Sequence, residues 1–126
     1  MDQKTFDLGL QIRKDVIGAE FVERAFEQAD DFTLPLQQLV TQYCWGECWG
    51  REGLSRKTRS MLNIAMLSVL NRPNELKNHV KGALTNGVTP EEIREILLQV
   101  AIYAGIPAGV DSFRAAHEVI KAHKAK

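Results

Sequence analysis

Five residues in one stretch combine groups that can move a proton, hold a carboxylate and leave room for a ligand. Arg72, Glu75, His79, Gly82 and Asn86 follow one another at intervals of three or four residues. In a helix this spacing places their side chains on a single stripe. Histidine changes charge near neutral pH, and a carboxylate can support the imidazolium. The spacing therefore predicts a small pocket that contains a titratable pair.

The stripe exists only if these residues form one helix. Pro73 suits a first helical turn, and Gly87 suits the residue that closes a helix. A second stripe is apolar and would face the core; its members are Leu76, Val80, Ala83 and Leu84. The same spacing is also compatible with a solvated Glu–His pair that contributes roughly 0.2–0.5 kcal/mol. Spacing alone leaves both interpretations open.

Helical periodicity recurs along the chain, and no stretch alternates apolar and polar residues long enough to predict a strand. We therefore expect an all-α protein, a single domain over residues 1–126, built as a bundle of about six to seven helices. The predicted helices cover residues 4–16, 20–29, a segment capped by Thr33, 56–70, 73–87, a segment that starts with the capping box of Thr89 and Glu92, and 108–123.

The stretch 44–53 differs from the helices around it. It contains three glycines, two tryptophans and the charged residues Glu47 and Arg51, which predicts a loop or a broken helix end. Aromatic rings exclude water, so Trp45 and Trp49 could form a wall or lid of a pocket. They could equally fill the interior beneath a loop.

Charge and composition exclude several classes of partner. Sixteen basic residues balance sixteen acidic ones, which argues against nucleic acid or an anionic membrane as the main partner. The N-terminal residues show no signal-peptide pattern, and the longest apolar region, 96–110, is interrupted by polar and helix-breaking residues. Two cysteines, Cys44 and Cys48, cannot define a disulfide framework. Their spacing of one helical turn could serve a metal or a disulfide, but such a pair is more often two small buried hydrophobic residues. We expect a cytoplasmic protein without a metal.

Two predicted helices have unusual compositions. The helix from residue 56 begins with Arg56, Lys57 and Arg59, cations that oppose the helix dipole unless an anion lies nearby. The helix after Thr89 is apolar on nearly every side. A domain of this size cannot bury such a helix completely by itself. We therefore expect self-association into a homo-oligomer.

The chain resembles the 4-carboxymuconolactone decarboxylases, a family within the larger carboxymuconolactone decarboxylase and alkylhydroperoxidase D-like group. The residues that carry the resemblance are 43–47, 53–54, 56–60, 71–72, 75–76, 79, 82–83, 86–89, 92–93 and 101–108. Two residues depart from the family pattern. Cys48 stands where relatives usually carry an aliphatic residue, and Ala104 stands where several relatives carry cysteine. The resemblance implies an alkylhydroperoxidase D-like all-α fold and an oligomer, often a hexamer built from dimers.

The resemblance also implies an activity: decarboxylation of 4-carboxymuconolactone to 3-oxoadipate enol-lactone in the β-ketoadipate pathway of bacterial protocatechuate breakdown. Loss of CO2 leaves an electron pair conjugated with the lactone carbonyl, so the substrate is its own electron sink and no cofactor is expected. The partner is a small lactone dicarboxylate. The protein must hold the second carboxylate, stabilise charge on the lactone oxygen and return a proton.

Arginine suits the first task because its planar guanidinium pairs with a carboxylate through two hydrogen bonds. The candidates for substrate binding are Arg72, Arg51, Arg56 and Arg59. An interaction with the departing carboxylate would stabilise the ground state, so an aromatic surface such as Trp45 or Trp49 suits that side better.

For the proton we expect His79, whose charge change lies near neutral pH, to be the catalytic acid. Glu75 or Glu47 would fix its tautomer and support the imidazolium. Either glutamate is itself the acid if burial raises its pKa.

Two other functions stay open. The wider group contains thiol peroxidases and disulfide reductases with the pattern Cys-x-x-Cys-x-x-x-His. Aligned on His79, that pattern places Arg72 and Glu75 where the cysteines would stand, so the thiol nucleophile is missing there. The second alternative is a noncatalytic oligomer that binds a small molecule.

Overall fold

A computed structural model describes residues 2–125 of the chain. Within that range the regular structure is entirely helical, with seven α-helices and one π-helix, which confirms the predicted all-α class. The chain divides into two compact units, Met1–Ser55 and Arg56–Lys126. The single domain over residues 1–126 stays a prediction.

The N-terminal unit consists of α1 (Gln3–Ile17), α2 (Ala19–Glu27), α3 (Leu34–Leu39) and a π-helix (Val40–Cys48). Its core is apolar and comes from α1, α2, the π-helix and the residue after it: Ile12, Val16, Ile17, Val22, Trp45 and Trp49. Helix α1 lies directly against the π-helix, because a Cβ atom at Gly9 would overlap the carbonyl oxygen of Thr41. Glycine is required there for the backbones to approach.

The C-terminal unit consists of α4 (Arg56–Val69), α5 (Pro73–Thr85), α6 (Pro90–Ala104) and α7 (Ile106–Lys124). Its buried core contains residues of all four helices and of the α5–α6 turn: Ile64, Leu76, Val80, Ala83, Val88, Ile93, Leu97, Ala115 and Ala116. The turn between α4 and α5 is tight, with Asn71 in the left-handed region at φ 57°. It places α4 and α5 side by side.

The central helix and its successor agree with the predictions. Helix α5 begins at Pro73 and ends at Thr85, and Gly87 follows with a φ of 92°. At the start of α6 the capping box is complete, because the Thr89 hydroxyl accepts the Glu92 N–H at 3.1 Å and the Glu92 carboxylate accepts the Thr89 N–H at 3.0 Å.

Two predictions on the helix ends are wrong, the side-chain cap by Thr33 and the start of α7. Thr33 does not cap α3 with its side chain. The Asp30 carboxylate instead accepts hydrogen bonds from the Thr33 N–H, at 3.0 Å, and from the Thr33 hydroxyl. The stretch 44–53, predicted as a loop or a broken helix end, is the end of a helix: the π-helix runs to Cys48 and turns follow it. In the π-helix the Trp49 N–H bonds to the Cys44 carbonyl five residues earlier at 3.0 Å. Helix α7 begins at Ile106, because the φ of 110° at Gly105 ends α6 without a longer loop.

Helix α6 leaves much of its apolar surface exposed, as its composition predicts. Ile102 is 76% exposed and Tyr103 is 86% exposed, and Leu98 is also exposed. Neighbouring helix α4 exposes Leu62 and Met66. Among residues 2–125, no helix combines the length and the apolar character that crossing a bilayer requires.

Candidate active site

His79 lies in the middle of α5, at the border between its polar stripe and its buried stripe. Leu76, Val80 and Ala83 are buried in the core, whereas His79 is only partly buried. Burial lowers the pKa of His79 from its ordinary 6.5 to about 4, since an apolar environment disfavours the charged imidazolium. The expectation that this ring changes charge near neutral pH is therefore wrong for the protein without a ligand. At pH 7 the imidazole is neutral.

The side chain that reaches His79 comes from α4. The Nδ2 atom of Asn63 lies 3.4 Å from Nδ1 of His79 in a partly buried contact. Sequence reasoning missed Asn63. The sequence feature that could have indicated Asn63 is an amide in the otherwise apolar part of α4, three residues after Ser60 and four after Arg59. Residues at these intervals share a helix face.

Two of the predicted arginines lie at the start of the same helix. Arg56 is exposed, and Arg59 is partly buried, with its Nε atom fully covered. Arg59 precedes Asn63 by one helical turn, so its guanidinium belongs to the helix face that reaches His79. The third cation of this turn, Lys57, instead pairs with Glu92 at 3.2 Å.

Asn86, the last member of the predicted stripe, connects α5 to the first turn of α4. Its Nδ2 atom donates to the Ser60 hydroxyl at 2.9 Å and to the Arg56 carbonyl at 3.4 Å. Ser60 is fully buried. This contact fixes the arginine-bearing end of α4 against the end of α5.

Arg72 has a structural contact of its own. Its Nη1 donates to the carbonyl oxygens of Leu70 at 3.1 Å and Asn71 at 3.4 Å. A cation at these carbonyls stabilises the C-terminal end of α4. Arg72 also precedes His79 by seven residues, about 10 Å along a helix axis. It is therefore less suited than Arg59 to bind a ligand beside His79.

Glu75 lies on α5 one turn before His79 and is exposed to solvent. At this spacing its carboxylate can approach the ring when the imidazole is charged. Its role as a support for His79 stays a prediction.

Four other predicted residues belong to the N-terminal unit. Trp45 and Trp49 are buried in its core with ring centroids 4.8 Å apart and ring planes inclined by 33°. Both rings thus fill the interior of this unit. Glu47 and Arg51 are exposed. The functional roles of these four residues stay predictions.

The C-terminal unit also contains an open groove of about 720 Å³ between α4 and α6. Its walls are mostly apolar and come from Thr58, Met61, Leu62, Ala65, Val69, Ile96, Gln99, Val100, Tyr103 and Ala104. Neither His79 nor Asn63 contributes to it. Tyr103 is the one titratable side chain among these lining residues. Among the described residues, no three histidine, cysteine or acidic side chains are grouped so as to hold a metal ion.

The low pKa of His79 predicts a loss of stability in mild acid. The ring binds a proton below pH 6.5 in the unfolded chain but only below about pH 4 in the folded chain. The unfolded state therefore gains protons first, and the contribution of His79 to stability is complete above pH 6.5 and is lost as the pH falls toward 4. The difference amounts to at most about 3 kcal/mol. Urea unfolding at pH 7 and pH 4.5 should show a smaller pH effect in His79→Leu than in the wild type.

The matched control is His117→Leu, which removes an exposed histidine from α7. Its free energy of unfolding should respond to pH as the wild type does. An equal pH effect in His79→Leu and the wild type would contradict the neutral, buried imidazole.

The chain is similar to two known decarboxylases and to one uncharacterised protein. The chain is 39% identical over 120 residues to the 4-carboxymuconolactone decarboxylase of Acinetobacter baylyi, which covers 95% of this chain and 90% of the relative. It is 43% identical over 112 residues to the nitrosuccinic acid decarboxylase of Metarhizium robertsii, covering 89% and 78% of the two chains. An uncharacterised 15.0 kDa protein of Paracoccus denitrificans is 34% identical over 115 residues.

The sequence model of the family described as "Carboxymuconolactone decarboxylase family" matches residues 35–118, well over half of the chain. The match includes every helix of the C-terminal unit up to residue 118 and thus both Asn63 and His79. Together with the two decarboxylase relatives, it confirms the resemblance expected from the sequence. The chain belongs to the carboxymuconolactone decarboxylase family.

Proposed function

We propose that the protein is a carboxy-lyase that converts 4-carboxymuconolactone to 3-oxoadipate enol-lactone and CO2 without a cofactor. The observation that carries this proposal is the 39% identity to a 4-carboxymuconolactone decarboxylase over 95% of the chain. Groups near His79 that suit two of the tasks of this reaction support the proposal. They are cations for the carboxylate that stays and an imidazole for the proton.

Arg59 and Arg56 hold the carboxylate that stays on the substrate. They lie in the first turn of α4, where the helix dipole favours a bound anion. A guanidinium pairs with a carboxylate through two hydrogen bonds and fixes its orientation. The departing carboxylate is then directed away from the arginines.

His79 supplies the proton after CO2 has left. Its imidazole is neutral in the empty site, since burial lowers its pKa to about 4. Two substrate carboxylates next to the ring favour the imidazolium, so binding of the dianion raises the pKa. The exposed Glu75, one turn earlier on α5, adds to this effect. The substrate thereby charges the acid that later protonates the carbon beside the lactone carbonyl.

The relative from Metarhizium robertsii supports a second candidate substrate class. Nitrosuccinic acid is also a dicarboxylic acid, and loss of CO2 beside its nitro group leaves a nitronate, so it too carries its own electron sink. The chain is 43% identical to that decarboxylase. The same three tasks arise: one carboxylate is held, charge grows on oxygen, and a carbon is protonated. Nitro dicarboxylates are therefore the alternative substrate to test.

We also propose that the protein acts in the cytoplasm as a homo-oligomer of dimers, such as a hexamer. The support is the exposed apolar surface of α6, where Leu98, Ile102 and Tyr103 face solvent in the isolated chain. Burial of such a surface contributes about 25 cal/mol per Å². Sedimentation of the purified protein tests the oligomer.

The deciding experiment offers both substrates to the purified protein in the presence of a chelator and without thiol. We expect release of CO2 and loss of the ultraviolet absorbance of 4-carboxymuconolactone. The ratio of kcat/KM for the lactone and for nitrosuccinic acid assigns the substrate class. Turnover of neither acid would contradict the proposal.

Alkylation of the two cysteines separates this proposal from peroxidase chemistry. Cys44 and Cys48 are exposed and form no disulfide, so iodoacetamide can reach them. The decarboxylase should keep its activity after alkylation, because its chemistry uses no thiol. A peroxidase would need a thiolate and would lose its activity. Thiol-dependent peroxide consumption that alkylation abolishes would favour the peroxidase.

A further inference from the structure

The amide of Asn63 on α4 contacts the ring of His79, the proposed acid. The Nδ2 atom of Asn63 lies 3.4 Å from Nδ1 of His79, and the contact is partly buried. The two helices are also joined by the bond from Asn86 to the buried Ser60, at 2.9 Å. This second contact limits sliding of α5 along α4, so Asn63 stays opposite His79.

The chemistry of an amide nitrogen determines the direction of this bond. Nδ2 of asparagine carries two hydrogens and only donates. Nδ1 of His79 is then the acceptor, and it carries no hydrogen. Because the ring is neutral at pH 7, its single hydrogen is on Nε2.

We propose that Asn63 is a positioning residue that holds His79 in the tautomer with hydrogen on Nε2, so that Nε2 is the nitrogen that meets the substrate. This inference rests on the proposed function, in which His79 is the proton donor. Asn63 itself does not contact the reacting atoms. It determines which ring nitrogen faces the substrate. When the bound dianion charges the ring and Nδ1 gains a hydrogen, the amide turns so that Oδ1 accepts from Nδ1–H, and Nε2–H stays the donor.

An amide suits this position better than the carboxylate that often accompanies a histidine. A carboxylate would accept a hydrogen bond from Nδ1–H and would place the opposite tautomer in the site. It would also add a negative charge beside a ligand that already carries two carboxylates, and like charges at short distance repel. Asparagine orients the ring without either effect.

Nitrogen NMR of the histidine side chains tests the inference without a substrate. We would record the ring nitrogens at pH 7 in the wild type, Asn63→Leu and Asn63→Asp, with His79→Gln to assign the signals. In the wild type Nε2 should be protonated and Nδ1 not. Asn63→Leu, which lacks the donor, should show a mixture of tautomers, and Asn63→Asp should shift the hydrogen to Nδ1.

Activity provides the second readout. Both Asn63 variants should lose at least about 10-fold in kcat, a part of the roughly 100-fold that a general acid contributes. The matched control is Asn74→Asp, the same chemical change at an exposed position at the start of α5, and it should leave kcat and the ring signals unchanged. Circular dichroism confirms that each variant is folded.

The outcomes separate the inference from the proposed function. A wild-type ring protonated on Nδ1, or a ring signal that neither Asn63 variant changes, would overturn the role of Asn63. The expected tautomers together with an enzyme that decarboxylates neither acid would support the contact and refute the function alone.

Discussion

Replacing His79 with glutamine should lower kcat by about 100-fold or more, because a positioned acid typically contributes this factor to a proton transfer. Glutamine keeps an N–H donor and a similar length, but it cannot deliver a proton. Binding of the substrate should change less than kcat, since the arginines of α4 hold the carboxylate. Steady-state measurement of CO2 release gives kcat and KM separately.

His117→Gln provides the control, because this exposed residue of α7 loses an imidazole at a distance from the proposed chemistry. It should retain wild-type kcat. If His79→Gln and the wild type turn over equally, His79 is not the acid. Glu75→Gln would then be the next variant to measure.

Replacing Leu76 with alanine should lower the free energy of unfolding by about 2–5 kcal/mol. Leu76 is among the largest fully buried side chains and packs in the core of the C-terminal unit on the α5 stripe next to His79. Because alanine has a high helix propensity, the substitution does not lower the free energy of unfolding by weakening the helix itself. The cost comes from lost burial and from the cavity that remains. Urea unfolding followed by circular dichroism measures it.

Leu98→Ala removes the same atoms from a side chain of α6 that is 47% exposed. Its effect on the unfolding of the dissociated chain should stay within about 0.5 kcal/mol, as for most surface substitutions. Similar losses at Leu76 and Leu98 would show that the α5 stripe is not the core of this unit.

Local sequence signals predicted the part of the fold that positions the site. Pro73 and Gly87 marked the ends of α5, and the capping box of Thr89 and Glu92 marked the start of α6. These signals succeed because they act within one turn of the chain. The stripe spacing placed His79 correctly beside the buried Val80.

The contacts of the site depended on packing between helices, which spacing within one helix does not encode. Asn63 reaches His79 across sixteen residues of sequence. The degree of burial that lowers the pKa of His79 to about 4 also arises from the surrounding helices. The sequence does not distinguish Arg72 from the other arginines, whereas in the fold its guanidinium donates to the carbonyls of Leu70 and Asn71.

The π-helix restricts which mutations the segment Val40–Cys48 can accept. Its hydrogen bonds connect residues five apart rather than four, so it accommodates a residue that an α-helix of the same length would not. Loss of one residue from Val40–Cys48 would restore an α-helix and rotate every later side chain in it by about 100°. With a deletion ahead of Gly46, this residue would no longer face α1, where a Cβ atom would overlap the Thr5 carbonyl. Substitutions are therefore easier to accept in this segment than changes in its length.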